Sequence, residues 1–173
     1  MSPSDKPLGP VVSAAHLADG GMPALSEMEF AMTILNNAFQ RWMVRCMGAA
    51  GTTGLGPLDV HILHASNHRG REKTLADICM MLNIEDTHVV SYALKKLETA
   101  GLIETGRRGK EKTVRVTADG ASACARYREV REALLVSSAK SLAFDEAEIS
   151  RIAALMRALS GQYDQASRAA ASM

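Results

Sequence analysis

The chain has 173 residues, of which 47% are apolar and 23% charged, with a formal net charge of +1. This apolar share excludes global disorder, and one domain or two tightly joined parts suit the length. The near-neutral balance excludes a protein that coats nucleic acid through overall charge, so any anion contact must be local. Cys46, Cys79 and Cys124 are too few and too scattered for a disulfide framework, which points to a reducing, cytoplasmic setting. The opening residues show no continuous apolar core of signal-peptide type. No later run approaches the roughly 18 apolar residues that span a bilayer, so no membrane partner is expected.

Residues 1–23 carry Pro3, Pro7, Pro10, Pro23 and a Gly20-Gly21 pair without periodicity, and read as a flexible tail. Ser26 then stands as an N-cap with Glu29 at the capping-box position. Met28, Met32, Leu35, Phe39, Trp42 and Cys46 follow at helical spacing as one long apolar seam, which Gly48 and Gly51 close. A second, shorter helix opens at Pro57 and stops at Gly70. Thr74 caps the next, with Asp77 at the third position, Leu75, Ile78, Cys79 and Leu82 on its inner side, and Asn83 closing it. Asp86 caps a third short helix, about 86–100, whose inner stripe is Val90, Leu94 and Leu97 and whose stop is Gly101. The runs "LIETG" and "KTVRVT" predict two strands joined by a basic loop. Thr117 caps a further helix. The last opens at Asp145, with Ile149, Ile152, Met156, Leu159 and Tyr163 again in a helical seam.

The predicted fold is mainly α with a small β-hairpin: a winged helix-turn-helix core over 55–117, flanked by long dimerisation helices in 24–51 and 118–173. The two terminal seams are longer than one small domain needs, and packing within the chain and pairing with a second copy both remain open.

Between Arg107 and Arg115 five basic residues stand against Glu111, a local charge of +4 in a chain of +1. A short helix fits the major groove, and a hairpin beside it brings cations to phosphates or the minor groove. The outward positions of the third short helix are Thr87, His88, Ser91, Tyr92 and Lys95, all hydrogen-bonding or cationic groups suited to bases and phosphates. Arg107, Arg108, Lys110 and Lys112 are the expected wing contacts.

The stretch "TLADICMMLNIEDTHVVSYALKKLETAGLIETGRRGKEKTVRVTADG" resembles the DNA-binding core of MarR-family transcriptional regulators. Its strongest parts are "LKKLETAGLIE", similar to the family's "RRLE" helix end and "GL(V/I)" strand, and "VRVTADG", similar to the "V-x-L-T-x-x-G" return strand. The resemblance covers roughly residues 25–170. It implies a homodimer on a palindromic double-stranded operator, more often a repressor, and in many members release by a small aromatic ligand or by thiol oxidation. The wing departs from the family's common Asp-x-Arg pair: Arg108 and Lys110 stand in those places, and a lysine is a mobile point charge rather than a rigid fork.

Met32, Phe39, Trp42 and Met43 could line an adaptable apolar pocket for such an effector, although methionine at helical spacing is more often ordinary core. His61, His64 and His68 fall on one helix side within about 60°. No Asp, Glu or Cys completes a metal site there, so a solvated or hydrogen-bonded face is expected, without metal. The cysteines read as small buried hydrophobes rather than redox sensors. No catalytic or cofactor-binding motif is present, so neither an enzyme nor a cofactor is expected. The alternative to an operator-specific regulator is a winged-helix module that meets an acidic protein surface.

Overall fold

The computed structural model describes residues 9–141 and 145–173. They fall into two compact units, one up to Arg128 and one from Glu129 on. The first contains α1 (Pro23–Ala49), α2 (Pro57–Asn67), β1 (Lys73–Thr74), α3 (Leu75–Leu82), α4 (Thr87–Thr99), β2 (Ile103–Arg108), β3 (Glu111–Val116) and most of α5 (Ala118–Arg131). The second contains the end of α5, a π-helical turn at Glu132–Val136, α6 (Ser137–Ser141) and α7 (Glu146–Ala170).

The winged core forms because each short helix contributes one apolar side. Val60, Ile62 and Leu63 of α2, Ile78 of α3, Val90, Leu94 and Leu97 of α4, and Ile103 and Val114 of the hairpin are each at most 1% exposed. Local caps set the helix starts. Thr74 Oγ1 accepts from Asp77 N at 3.0 Å while Asp77 Oδ2 accepts from Thr74 N at 2.8 Å. Asn83 closes α3 in the left-handed region, at φ 52°. Thr117 Oγ1 accepts from Gly120 N at the start of α5.

Three details differ from the sequence expectations. First, α1 begins at Pro23, three residues before the expected cap. Ser26 lies inside the helix, and its hydroxyl donates instead to Leu17 O at 2.7 Å, tying the preceding 3-10 turn Ala15–Leu17 to α1. Second, the sheet has three strands in the order β1-β3-β2, because Lys73 and Thr74 add to β3 opposite Val114 and Thr113. Third, the strands of the hairpin run further than expected. Arg107 pairs with Lys112 and Arg108 with Glu111, so these residues lie in the strands and only Gly109 and Lys110 form the turn. Gly109, at φ 63°, supplies the positive dihedral that a two-residue hairpin turn demands.

The expected seam of α1 divides in two. Cys46 is buried, together with Met43 and Met47, whereas Leu35 and Phe39 of the seam are exposed, as is Ile34. In the second unit, α7 buries no residue, and Ile149, Ile152, Leu155 and Tyr163 are exposed on it. No helix of the described residues is long and apolar enough to cross a membrane.

Candidate nucleic-acid interface

Helix α4 starts where Asp86 Oδ1 accepts from His88 N at 2.8 Å. Its buried side is Val90, Ala93, Leu94 and Leu97. On the opposite side Thr87, His88, Tyr92 and Lys95 are exposed, Tyr92 to 75%, and the first turn carries no acidic residue. Ser91 is half-buried, on the flank of that surface. The structure thus brings the five expected residues to one helix, with four of them exposed.

Two polar clamps hold α4 in place, one on each flank. Glu98 Oε1 accepts from Thr105 N at 3.1 Å and from Thr105 Oγ1 at 2.6 Å, joining the helix to β2. The hydroxyl and amide of Thr105 together hold the Glu98 carboxyl below its ordinary pKa, so the clamp is charged at neutral pH. Across the helix, Lys96 Nζ donates to Asp59 Oδ2 at 2.6 Å, and the same oxygen accepts from Gly56 N at 2.7 Å.

Beside α4, the hairpin presents Arg107, Arg108 and Lys110 to solvent and leaves Lys112 half-buried. The carboxylate that faces Arg108 is Glu111, at 3.4 Å, and Arg115 stands 4.0 Å from Glu72. Part of the local charge is therefore compensated, and Arg107, Lys110 and Lys112 make no ion pair among the described residues.

The residues that aim this surface are mostly ones the sequence does not advertise. Lys73 is buried, and its Nζ donates to the carbonyl oxygens of Ser66 at 3.1 Å, His68 at 2.6 Å and Arg71 at 3.0 Å. It caps the C-terminal end of α2 with a cation and anchors β1 to the wing strand β3. Burial, and then the nearby Arg71, push its pKa below the ordinary lysine value, while Asp77 acts the other way. Gly120 lets α5 approach the base of the hairpin: a Cβ there would collide with the Leu102 carbonyl oxygen and reach Val116 Cγ2 at 2.8 Å. Val89 of α4 and Met80 and Met81 of α3 are exposed apolar side chains.

The expected effector residues stand along α1. Met43 is core, 2% exposed; Met32 and Trp42 are half-buried; Phe39 is exposed, its ring 5.8 Å from that of His61. The histidines are not a uniformly solvated stripe. His64 packs edge-on against Tyr127 with ring centroids 4.6 Å apart, and its Nε2 is buried with no hydrogen-bond partner among the described residues. Burial lowers the pKa of His61 and of His64, and His61 lowers that of His64 further. His68 is exposed in the turn after α2. Among the described residues no group of three or more His, Cys, Asp or Glu could hold a metal ion. All three cysteines are buried, and burial pushes the Cys124 thiol up to about 11.

Residues 55–120 match the family model described as the winged helix DNA-binding domain. That stretch of the chain is similar to such a domain. No curated protein matches it by sequence. Among solved structures, the MarR-family regulator NMB1585 from Neisseria meningitidis is 20% identical at a TM-score of 0.62, covering 82% of this chain and 94% of its own. CouR from Rhodococcus jostii RHA1, solved with p-coumaroyl-CoA, is 10% identical at a TM-score of 0.60, covering 84% of this chain and 95% of its own. NadR, solved with 4-hydroxyphenylacetate, is 16% identical at a TM-score of 0.60, with 76% and 91% covered. The fold is that of solved MarR-family regulators, and the resemblance drawn from the sequence is borne out at the level of the fold.

Proposed function

We propose that the protein is a homodimeric, sequence-specific transcriptional regulator of the MarR type, a repressor acting in the cytoplasm on a palindromic operator. One observation carries the reading. The open side of α4 consists of hydrogen-bonding and cationic groups, is clamped on both flanks, and lies beside a hairpin bearing unpaired cations. That is the equipment for reading bases with a helix while holding phosphates with a wing. Thr87, His88, Ser91, Tyr92 and Lys95 read the major groove; Arg107, Arg108, Lys110 and Lys112 hold the backbone or minor groove.

The exposed apolar residues of α1 and α7 support the dimer, since helices with open apolar sides gain most by covering them with a second copy. The ligands of CouR and NadR support a small aromatic effector, with Met32, Phe39, Trp42 and Met43 as its candidate lining.

Selection of bound sequences from random duplex DNA by the full chain tests the reading. A palindromic consensus is expected, with light scattering giving a dimer at micromolar concentration. Equal retention of all duplexes would favour a winged-helix module for an acidic protein partner instead.

A further inference from the structure

A second basic cluster lies away from the wing. Arg41 and Arg45 stand four residues apart on α1 and therefore share one side of it. Both are exposed, and neither makes an ion pair among the described residues. With Asn37, Gln40, Val44 and Pro57 they line a groove of about 400 Å³. Its polar side chains are two guanidinium groups and two amides. Among the described residues no carboxylate lines the groove to compete for the cations, and one Gln40 amide hydrogen is already committed to Asn36 Oδ1 at 3.2 Å. Planar guanidinium forks beside amide donors suit a tetrahedral oxyanion such as phosphate.

The groove's position gives this chemistry a use. Pro57 opens α2, two residues before Asp59, whose carboxylate holds Lys96. Lys96 and Glu98 point about 200° apart around α4, and Glu98 faces the wing through Thr105. The end of α2 that borders the groove therefore lies on the flank of α4 away from the wing. A duplex laid along the open side of α4 meets the wing on one flank and Arg41 and Arg45 beyond the other.

We infer that Arg41 and Arg45 form a phosphate seat, filled by the DNA backbone outside the bases that α4 reads. The inference rests on the DNA-binding reading above, and the same chemistry could come from a phosphate-bearing small molecule. The test is the double variant Arg41→Gln/Arg45→Gln in the full chain, read in two ways. In the first, affinity for the selected operator is measured against salt. Each lost phosphate contact should flatten the slope of log K against log salt by about 0.9, with sequence preference unchanged. On a duplex trimmed of its flanks, wild type and variant should converge. In the second, thermal unfolding is followed with inorganic pyrophosphate, which should raise the Tm of the wild type and not of the variant.

A flattened slope that disappears on the trimmed duplex assigns the seat to the DNA backbone. An unchanged slope with lost pyrophosphate stabilisation keeps the seat and assigns it to a small phosphate-bearing ligand. No change in either measurement, or a slope difference that persists on the trimmed duplex, overturns the seat. If the wild type binds no duplex at all, the operator reading fails, and the pyrophosphate arm alone decides the seat.

Discussion

Lys96 Nζ lies 2.6 Å from Asp59 Oδ2, an ion pair that joins α2, the first helix of the winged core, to α4. The Asp59 side chain is 8% exposed and the Lys96 side chain 39%. Asp59→Ala strips the acceptor from both Lys96 and Gly56 N, but Lys96 can turn to water. The stability loss should therefore stay near 1–2 kcal/mol, about the size of one partly screened pair and one hydrogen bond. The functional sign is more informative. Removing a negative charge should on Coulomb grounds raise DNA affinity, whereas loosening one flank of α4 should lower it. Weaker operator binding in Asp59→Ala is the expected result. Tighter binding would show that charge, and not helix position, is what Asp59 contributes.

Lys73→Met keeps the aliphatic stem and removes the ammonium from the carbonyl oxygens of Ser66, His68 and Arg71. Those acceptors lie at the end of α2 and the entry to β1, where helix geometry offers them no other donor. Urea unfolding should show a loss of about 2–3 kcal/mol, offset in part by the cost of burying the charge in the native protein. An unchanged midpoint would mean that water replaces the ammonium without loss.

The difference between Lys73 and the helix caps shows what a sequence displays. Thr74 with Asp77, Asp86, Thr117 and Asp145 act on backbone groups two or three residues away, so their signal is local and legible. The inner stripe of α4 is equally local, because helical period alone sorts Val90, Leu94 and Leu97 from His88, Tyr92 and Lys95. Asp59 and Lys96 are 37 positions apart, and nothing in either neighbourhood marks them as partners. The same holds for β1, too short to show alternation and dependent on Val114 across the sheet. Ser26 failed as a cap because Pro23 opens the helix a turn earlier. At the hairpin, counting charges places a basic loop, whereas the turn is decided by Gly109 alone.

His64 gives a pH prediction with a definite sign. Burial, and then the neighbouring His61, lower its pKa from 6.5, and its Nε2 sits without a partner against Tyr127 and its surroundings. The unfolded chain therefore binds the proton more readily. The stability contributed by neutral His64 is present above the unfolded value of 6.5 and is lost as pH falls through the lower folded value. Urea titrations between pH 8 and 5, the range set by about one to two units around an ordinary histidine, should show stability falling towards acid. His64→Phe, which keeps a ring against Tyr127, should flatten that fall; His61 supplies the remainder. An acid limb of undiminished steepness in His64→Phe would remove this residue from the account.

Gly120 and Gly48 make a matched pair. Both lie in helices, but a Cβ at Gly120 collides with Leu102 O, whereas at Gly48 nothing stands within 4 Å. Gly120→Ala should cost about 3 kcal/mol, since backbone cannot step aside as a flexible side chain can. Gly48→Ala should gain about 0.5–1 kcal/mol from helix propensity. Thermal unfolding of the two variants should move the Tm in opposite directions; a rise in both would mean that α5 slides on the hairpin base without penalty, and a fall in both that Gly48 is held by more than helix propensity.

The division of labour between helix and wing is tested by Tyr92→Ala against Lys112→Ala. Tyr92 is 75% exposed in the middle of the open side of α4, with a ring for apolar base edges and a hydroxyl that can donate or accept. Its loss should change which operator sequences are preferred. Lys112 sits in β3 opposite Arg107, a point charge whose natural partner is a phosphate. Its loss should weaken all duplexes about equally and flatten the salt slope by about 0.9 per contact. The turn composition sharpens this expectation. Lys110 occupies the tip, and the guanidinium of Arg108, at the end of β2, already faces the Glu111 carboxylate at 3.4 Å. With its fork partly engaged inside the wing and a mobile lysine at the tip, the hairpin should, on the proposed reading, grip phosphates more than it reads bases. If Lys112→Ala altered sequence preference as strongly as Tyr92→Ala, the wing would be a reader and this partition would be wrong.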